Sequence, residues 1–302
     1  MSGPSARWLG LILTLLMGSA MAQPLRVVVS VAPQAYWVER IAGPRATVEI
    51  MVPPGSSPET YAPSPRQWIK LAQAQLYVKV GHPALSLEAR HVLPFLRNHP
   101  AIPVVDTAAG VELIGSEGSG AHHLHHDIGD TDDHDSSAGD PHLWVSPDTV
   151  AVAARHIAKA LQQLDPAGAV DYQAGLATFL TDIAALDQGI ADKITASPGR
   201  AFMVYHPAWG YFARRYGLQQ VAIEVEGKEP SPSQLVALIR QGREAGVRAV
   251  FVQPGFSRKS AEVVAQEMGA TVVEADPLAP DWLANLQRVA DAFSAALGVS
   301  PH

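Results

Sequence analysis

One pattern occurs twice in this chain, on either side of a long helical stretch, and that repetition points to two similar α/β lobes. In the first half, short apolar and β-branched runs stand at Leu25–Val31, Thr47–Val52, Leu76–Val80 and Ile102–Val105. Amphipathic stretches at Ala35–Ile41, Pro65–Ala74 and Leu85–Leu96 lie between them. The second half repeats the alternation, with runs at Ala201–Tyr205, Gln220–Val225, Ala249–Val252 and Thr271–Val273. Its helical patterns fall at Trp209–Tyr216, Gln234–Ala245, Ser260–Met268 and Trp282–Leu297. Strand runs alternating with helical patterns build βα units, and βα units build parallel sheets. The expected fold class is therefore α/β, with two similar lobes, each around a four-stranded, mainly parallel sheet.

The stretch between the halves reads as helix. Ser146–Leu164 forms one segment, ended by Asp165-Pro166, and Ala167–Ala196 then runs without proline. A helix of that length spans about 45 Å at 1.5 Å per residue, enough to run along both lobes. Gly175 and Gly189 leave open a kinked pair of shorter helices. The expected organisation is a leader over 1–22, an N-terminal lobe over 23–165, a linking helix over 166–197 and a C-terminal lobe over 198–302. Ser64-Pro65 and Ser231-Pro232 open helices in the two halves, with proline in the first turn.

The leader is expected from Arg7, the apolar run Trp8–Met17 and the small-residue site Ala20-Met21-Ala22, with cleavage after Ala22. The apolar run is shorter than the roughly 20 residues of a membrane-spanning helix. The chain has no cysteine, which removes disulfides, thiolate ligands and a lipidated cysteine anchor. An exported chain without an anchor is expected in the periplasm of a double-membraned bacterium. The formal net charge is −7 and no long basic run occurs, so nucleic acid is not an expected partner.

Residues 115–139 differ from everything around them. Gly, Ser, His and Asp dominate, and so few apolar residues cannot offset the entropy of ordering the segment. A mobile loop is expected, carrying His122, His123, His125, His126 and His134, five of the chain's twelve histidines. Imidazoles at that density chelate zinc, nickel or copper without a preformed geometry, which suits secondary, weak metal capture.

A preformed site needs ligands held by rigid elements. Four residues stand in the loops where α/β folds place ligand-binding groups. Glu59 follows the Thr47–Val52 run, and His142 lies in Asp140-Pro141-His142-Leu143-Trp144. His206 ends the Ala201–Tyr205 run, and Asp276 follows the Thr271–Val273 run. Each half supplies two, so a divalent cation in the cleft between lobes would be gripped from both sides. Four protein ligands with no open position suit binding more than catalysis. An unperturbed imidazole would lose such a metal as pH falls through about 6.5. Neither H-E-x-x-H nor G-x-S-x-G occurs, so a zinc hydrolase is disfavoured and no enzyme activity is expected.

These residues sit in motifs that carry a resemblance. Pro54-Gly55-Ser56-Ser57-Pro58 through Tyr61-x-Pro63-x-Pro65, Asp140-Pro141-His142-Leu143-Trp144, His206 with Tyr211-Phe212, Glu229-Pro230-Ser231 and Asp276-Pro277-Leu278 match one family. The chain resembles the metal-specific solute-binding proteins of bacterial ABC importers for zinc and manganese, over essentially its whole mature length. The resemblance implies two lobes joined by one helix, a metal in the cleft, a monomer, and delivery to a membrane permease. A His-rich loop before the second ligand is a zinc-type feature. Glu59 departs from the family, which usually has His there, whereas His206 is the zinc-like choice where manganese-type members usually have Glu. Zinc is the expected cargo and manganese the alternative, because N/O sites bind zinc more tightly than manganese. A periplasmic zinc carrier or store without a permease is the other reading. Glu229 is expected to act on the dipole of the helix after Pro230, and His82 to be structural.

Overall fold

In the computed structural model, residues 23–115, 139–197, 199–224 and 228–298 are described. The leader and the five loop histidines His122, His123, His125, His126 and His134 lie outside them.

Among the described residues, two four-stranded parallel sheets form the two lobes. The first comprises β1 (Leu25–Val29), β2 (Ala46–Ile50), β3 (Leu76–Lys79) and β4 (Val104–Asp106), in the order β2-β1-β3-β4. The second comprises β5 (Ala201–Val204), β6 (Gln219–Ala222), β7 (Ala249–Val252) and β8 (Thr271–Glu274), in the order β6-β5-β7-β8. Strand composition follows position. The central strands β5 and β7 are buried at every residue and read as unbroken apolar runs. The edge strand β2 alternates, with Thr47 and Glu49 exposed, because one of its faces meets water.

Helices α1 (Ala32–Ala42), α2 (Pro65–Ala72) and α3 (Leu93–Arg97) belong to the first lobe. A π-helical turn over Leu87–Val92 enters α3, where the sequence reads as one regular helix. Helix α4 (Pro147–Leu164) follows, and a 3-10 turn at Pro166–Gly168 opens α5 (Ala169–Thr195). The second lobe adds α6 (Gly210–Tyr216), α7 (Pro232–Glu244), α8 (Arg258–Met268) and α9 (Trp282–Gly298).

Helix α5 is one continuous helix of 27 residues, not a kinked pair. At Gly175 a Cβ would stand 2.3 Å from the Ile41 carbonyl oxygen, so that glycine lets α1 pack closely against α5. Its N-terminal half is tied to the first lobe by Arg45–Asp171 (2.6 Å) and Arg40–Asp182. Its C-terminal half is tied to the second lobe by Arg215–Asp187 and Lys193–Asp291. One apolar core runs through both lobes and includes Val27, Trp37, Phe179, Trp209, Trp282 and Phe293. Trp37 of α1 and Trp282 of α9 meet edge to face with centroids 6.2 Å apart. Two buried indole hydrogen bonds complete the clasp, Trp144 Nε1 to the Pro277 carbonyl (2.8 Å) and Trp282 Nε1 to the Trp144 carbonyl (2.6 Å). Buried polar groups so paired make the relative position of the lobes costly to change.

The ends of the His/Asp-rich segment meet at a narrow neck. Gly115 (φ 79°) and Gly139 (φ 82°) both take left-handed backbone, and a Cβ on Gly115 would lie 2.6 Å from Gly139 Cα. The Asp140 N–H donates to the Ile114 carbonyl (3.0 Å) beside them.

Candidate metal centre

Each chemistry-bearing side chain stands where a strand gives way to its crossover. Glu59 lies between β2 and α2, in a loop folded on itself by Ser56 N to Pro53 O (3.2 Å) and Tyr61 N to Ser57 O (3.0 Å). The Leu87 N–H donates to Pro58 O (3.4 Å), and Tyr61 Oη donates to Gln67 Oε1 (2.7 Å), so the loop is pinned at both sides. The same Gln67 oxygen accepts from the Ser64 N–H (2.9 Å) at the start of α2. His142 sits in a tight Asx turn, where Asp140 Oδ1 accepts from both its backbone N–H (2.9 Å) and its Nδ1 (2.8 Å). His206 follows β5, and the Phe256 ring lies against its imidazole at 5.0 Å and 19°.

The fold brings three of the four expected ligands together. Glu59, His142 and His206 each offer a ligand atom, and these atoms lie within 4.8 Å of one another. Glu59 Oε1 is 3.4 Å from His206 Nε2 and 3.8 Å from His142 Nε2. A tetrahedral zinc with bonds of 2.0–2.1 Å places its ligand atoms about 3.4 Å apart, so small adjustments close the set. Both imidazoles are buried, at 5% and 7% side-chain exposure, while Glu59 remains one-third exposed. Asp276 lines the same cleft, of about 380 Å³, but stands outside the close trio. Its Oδ1 accepts from the Leu278 N–H (2.8 Å), and the Asn285 amide donates to its carbonyl (2.6 Å).

The electrostatics suit a cation. Burial alone would depress the His206 imidazole, but the carboxylates of Glu224 and Glu59 outweigh it and lift its pKa to about 10. Burial alone would likewise raise Glu59, yet the imidazoles of His206 and His142 hold it below the usual carboxylate range. The Asp276 carboxyl is raised by burial and by the charges of Glu274 and Asp281, against the pull of the Leu278 N–H.

Glu224 escaped the reading of the sequence because it lies inside the apolar run Gln220–Val225, which looks like strand throughout. Strand β6 ends at Ala222, and the Glu224 carboxylate accepts from His206 Nδ1 at 2.5 Å. An acidic residue ahead of Ser231-Pro232-Ser233-Gln234, as Glu59 is ahead of Ser64-Pro65-Arg66-Gln67, was the available signal. Asp140 was quoted only as part of its motif, yet it is the hydrogen-bond partner of His142. His82 is buried at 2%, and its Nδ1 accepts from the Ala84 N–H (3.1 Å). Glu229 does not cap α7, which Ser231 opens; it accepts from Ser260 Oγ (2.9 Å) at the start of α8 instead.

Residues 27–296 match the family model described as zinc-uptake complex component A, periplasmic (ZnuA). The chain belongs to this family. A Treponema pallidum relative named as a putative metal-binding protein is 30% identical over 82% of this chain and 78% of its own length. The high-affinity zinc uptake system protein ZnuA of Bacillus subtilis is 26% identical, over 82% of this chain and 76% of its own. Among solved structures, a ZnuA deletion mutant with zinc bound is 36% identical with a TM-score of 0.80, covering 92% of this chain and 100% of that one. Family members of this kind are solute-binding proteins of ABC uptake systems, and the two-lobed ZnuA fold with its long joining helix is the fold described above.

Proposed function

We propose that this protein captures zinc in the cleft between its lobes and delivers it to the membrane permease of an ABC importer. The observation that carries the reading is the trio Glu59, His142 and His206, drawn from both lobes and converging within 4.8 Å. Two imidazoles and a carboxylate make a borderline ligand set, on which zinc binds more tightly than manganese. Asp276, on the wall of the same cleft, is the fourth protein ligand in this reading. Burial and the charges of Glu274 and Asp281 raise its pKa, and a dication would offset both. The site holds and releases its ion, and no bond of a substrate is broken. Action in the periplasm is part of this reading, supported by the family's description and the expected leader.

Competition titration against a zinc chelator tests capture. The intact chain is expected to bind one zinc tightly, and His142→Ala and His206→Ala each to lose more than about 100-fold, the upper end of what an outer-shell partner costs. Full affinity in the double variant would remove the cleft from the account. Delivery is tested by adding the zinc-loaded protein to the permease and its ATPase in liposomes, where zinc should appear inside only when all three are present.

A further inference from the structure

The geometry points to Glu224 as the positioning residue that makes His206 a zinc ligand, by holding Nδ1 and so aiming Nε2 toward Glu59 and the metal position. This inference rests on the proposed metal capture and deepens it.

The placement of Glu224 is built into the second sheet. Strands β5 and β6 pair in parallel with Val204 opposite Ala222. The strands end there, and two backbone bonds still tie the segments that follow: Ile223 N to Val204 O (2.8 Å) and Glu224 N to Tyr205 O (3.0 Å). His206 and Glu224, each two residues past its strand, therefore leave the sheet side by side. Its side chain is 7% exposed and lines the cleft beside the ligand atoms. A buried carboxyl group is costly unless it is hydrogen-bonded, and this one pairs with His206.

The imidazole chemistry completes the argument. A neutral imidazole carries one N–H, and the nitrogen facing a carboxylate keeps it. With Nδ1 donating to Glu224, Nε2 is the nitrogen that gives up its proton to a metal, and Nε2 is the atom 3.4 Å from Glu59 Oε1. The Phe256 ring packed on one imidazole face limits rotation. His142 is held in the same manner by Asp140. The second lobe thus uses its crossover acid differently from the first. Glu59 and Glu224 both lie between an edge strand and a helix opened by a Ser-Pro-x-Gln box, but one faces the metal position and the other stands behind a ligand.

The test compares the full chain with Glu224→Ala and Glu224→Gln. Zinc affinity is read by chelator competition, and the Nδ1–H hydrogen bond of His206 by the proton shift and solvent exchange of that N–H in NMR of the zinc-loaded protein. Glu224→Ala is expected to weaken zinc binding about 10- to 100-fold and to move the Nδ1 proton upfield with faster exchange. Glu224→Gln, whose side-chain oxygen still accepts from Nδ1, should recover much of both and guards against a folding defect in the Ala variant. Zinc affinity within twofold of the parent in both variants overturns the inference. So does weakened binding with the Nδ1 proton's shift and exchange unchanged, since a merely structural role would give that result. If the parent binds zinc tightly and His142→Ala abolishes it while the Glu224 variants do not differ, the inference fails and the capture site stands.

Discussion

The imidazoles of His142 and His206, one from each lobe, meet edge to face with centroids 5.2 Å apart and planes at 76°. Both turn Nε2 toward Glu59 and Nδ1 toward a carboxylate of their own lobe, Asp140 for His142 and Glu224 for His206. Each ring is thereby oriented before a metal arrives, and an oriented ligand loses less entropy on binding.

The elevated pKa of His206 changes the expected pH dependence. An ordinary imidazole would free its lone pair above about 6.5. Here the imidazole keeps its proton up to about 10, so a metal must displace that proton throughout the neutral range. Apparent zinc affinity should therefore keep rising between pH 6.5 and about 10, approaching tenfold per unit. Calorimetry in buffers of different ionisation enthalpy should count close to one proton released per zinc at pH 8. The metal-free protein should show the linked effect with the opposite trend. Stability from the raised His206 pKa is fully present below about 6.5 and lost as pH rises through about 10. Proton release near zero at pH 8 would contradict this account.

Glu59 stands one-third exposed between two buried imidazoles. Removing it in Glu59→Ala takes away both a ligand and the negative charge, and zinc and manganese should both bind more weakly. Glu59→His exchanges a hard oxygen for an imidazole nitrogen, so zinc binding should persist and its margin over manganese widen. Chelator competition with each metal reads both effects. A change below about twofold in Glu59→Ala, under ~0.5 kcal/mol, would mean the carboxylate does not touch the ion.

Joining Gly115 directly to Gly139 by deleting 116–138 should leave the fold and one tight site intact. The neck supports this, because Gly115 and Gly139 already pack against each other and a trans peptide spans about 3.8 Å between Cα atoms. The five histidines removed should lower the total zinc bound per chain, measured by metal analysis after equilibrium dialysis. Loss of the tight site would show that the deleted segment supplies a primary ligand.

Gly210 opens α6 against Asp140 across the lobe boundary, and a Cβ there would stand 2.3 Å from Asp140 Oδ2. Gly210→Ala should push Asp140 away and loosen its hold on His142 Nδ1. Zinc affinity is expected to fall about tenfold, in the range of a disturbed outer-shell partner. Chelator competition measures it, with thermal unfolding of the metal-free protein as control. Unchanged affinity would mean Asp140 is not needed to orient His142.

The alternation of strands and helices, the two lobes and the single joining helix were legible in the chain itself. Periodicity is a local property: the buried run Ala249–Val252 and the uninterrupted pattern of α5 state their conformation without reference to distant residues. The helix starts at Ser64-Pro65 and Ser231-Pro232 were legible for the same reason, although ends such as those of β6 and the π turn before α3 moved by a few residues. Tertiary structure alone decided which polar residues meet. Glu59 and His206 lie far apart in sequence and come within 3.4 Å because α5 and contacts such as Trp37–Trp282 and Trp144–Pro277 set one lobe against the other. Asp276 occupies the same kind of strand-end position as His206 and still falls outside the close trio. The burial of Glu224 beside His206, and with it the proton that His206 holds, depends on strand pairing and on the carboxylates that outweigh desolvation. Those quantities sum over atoms from the whole fold, and no window of sequence contains them.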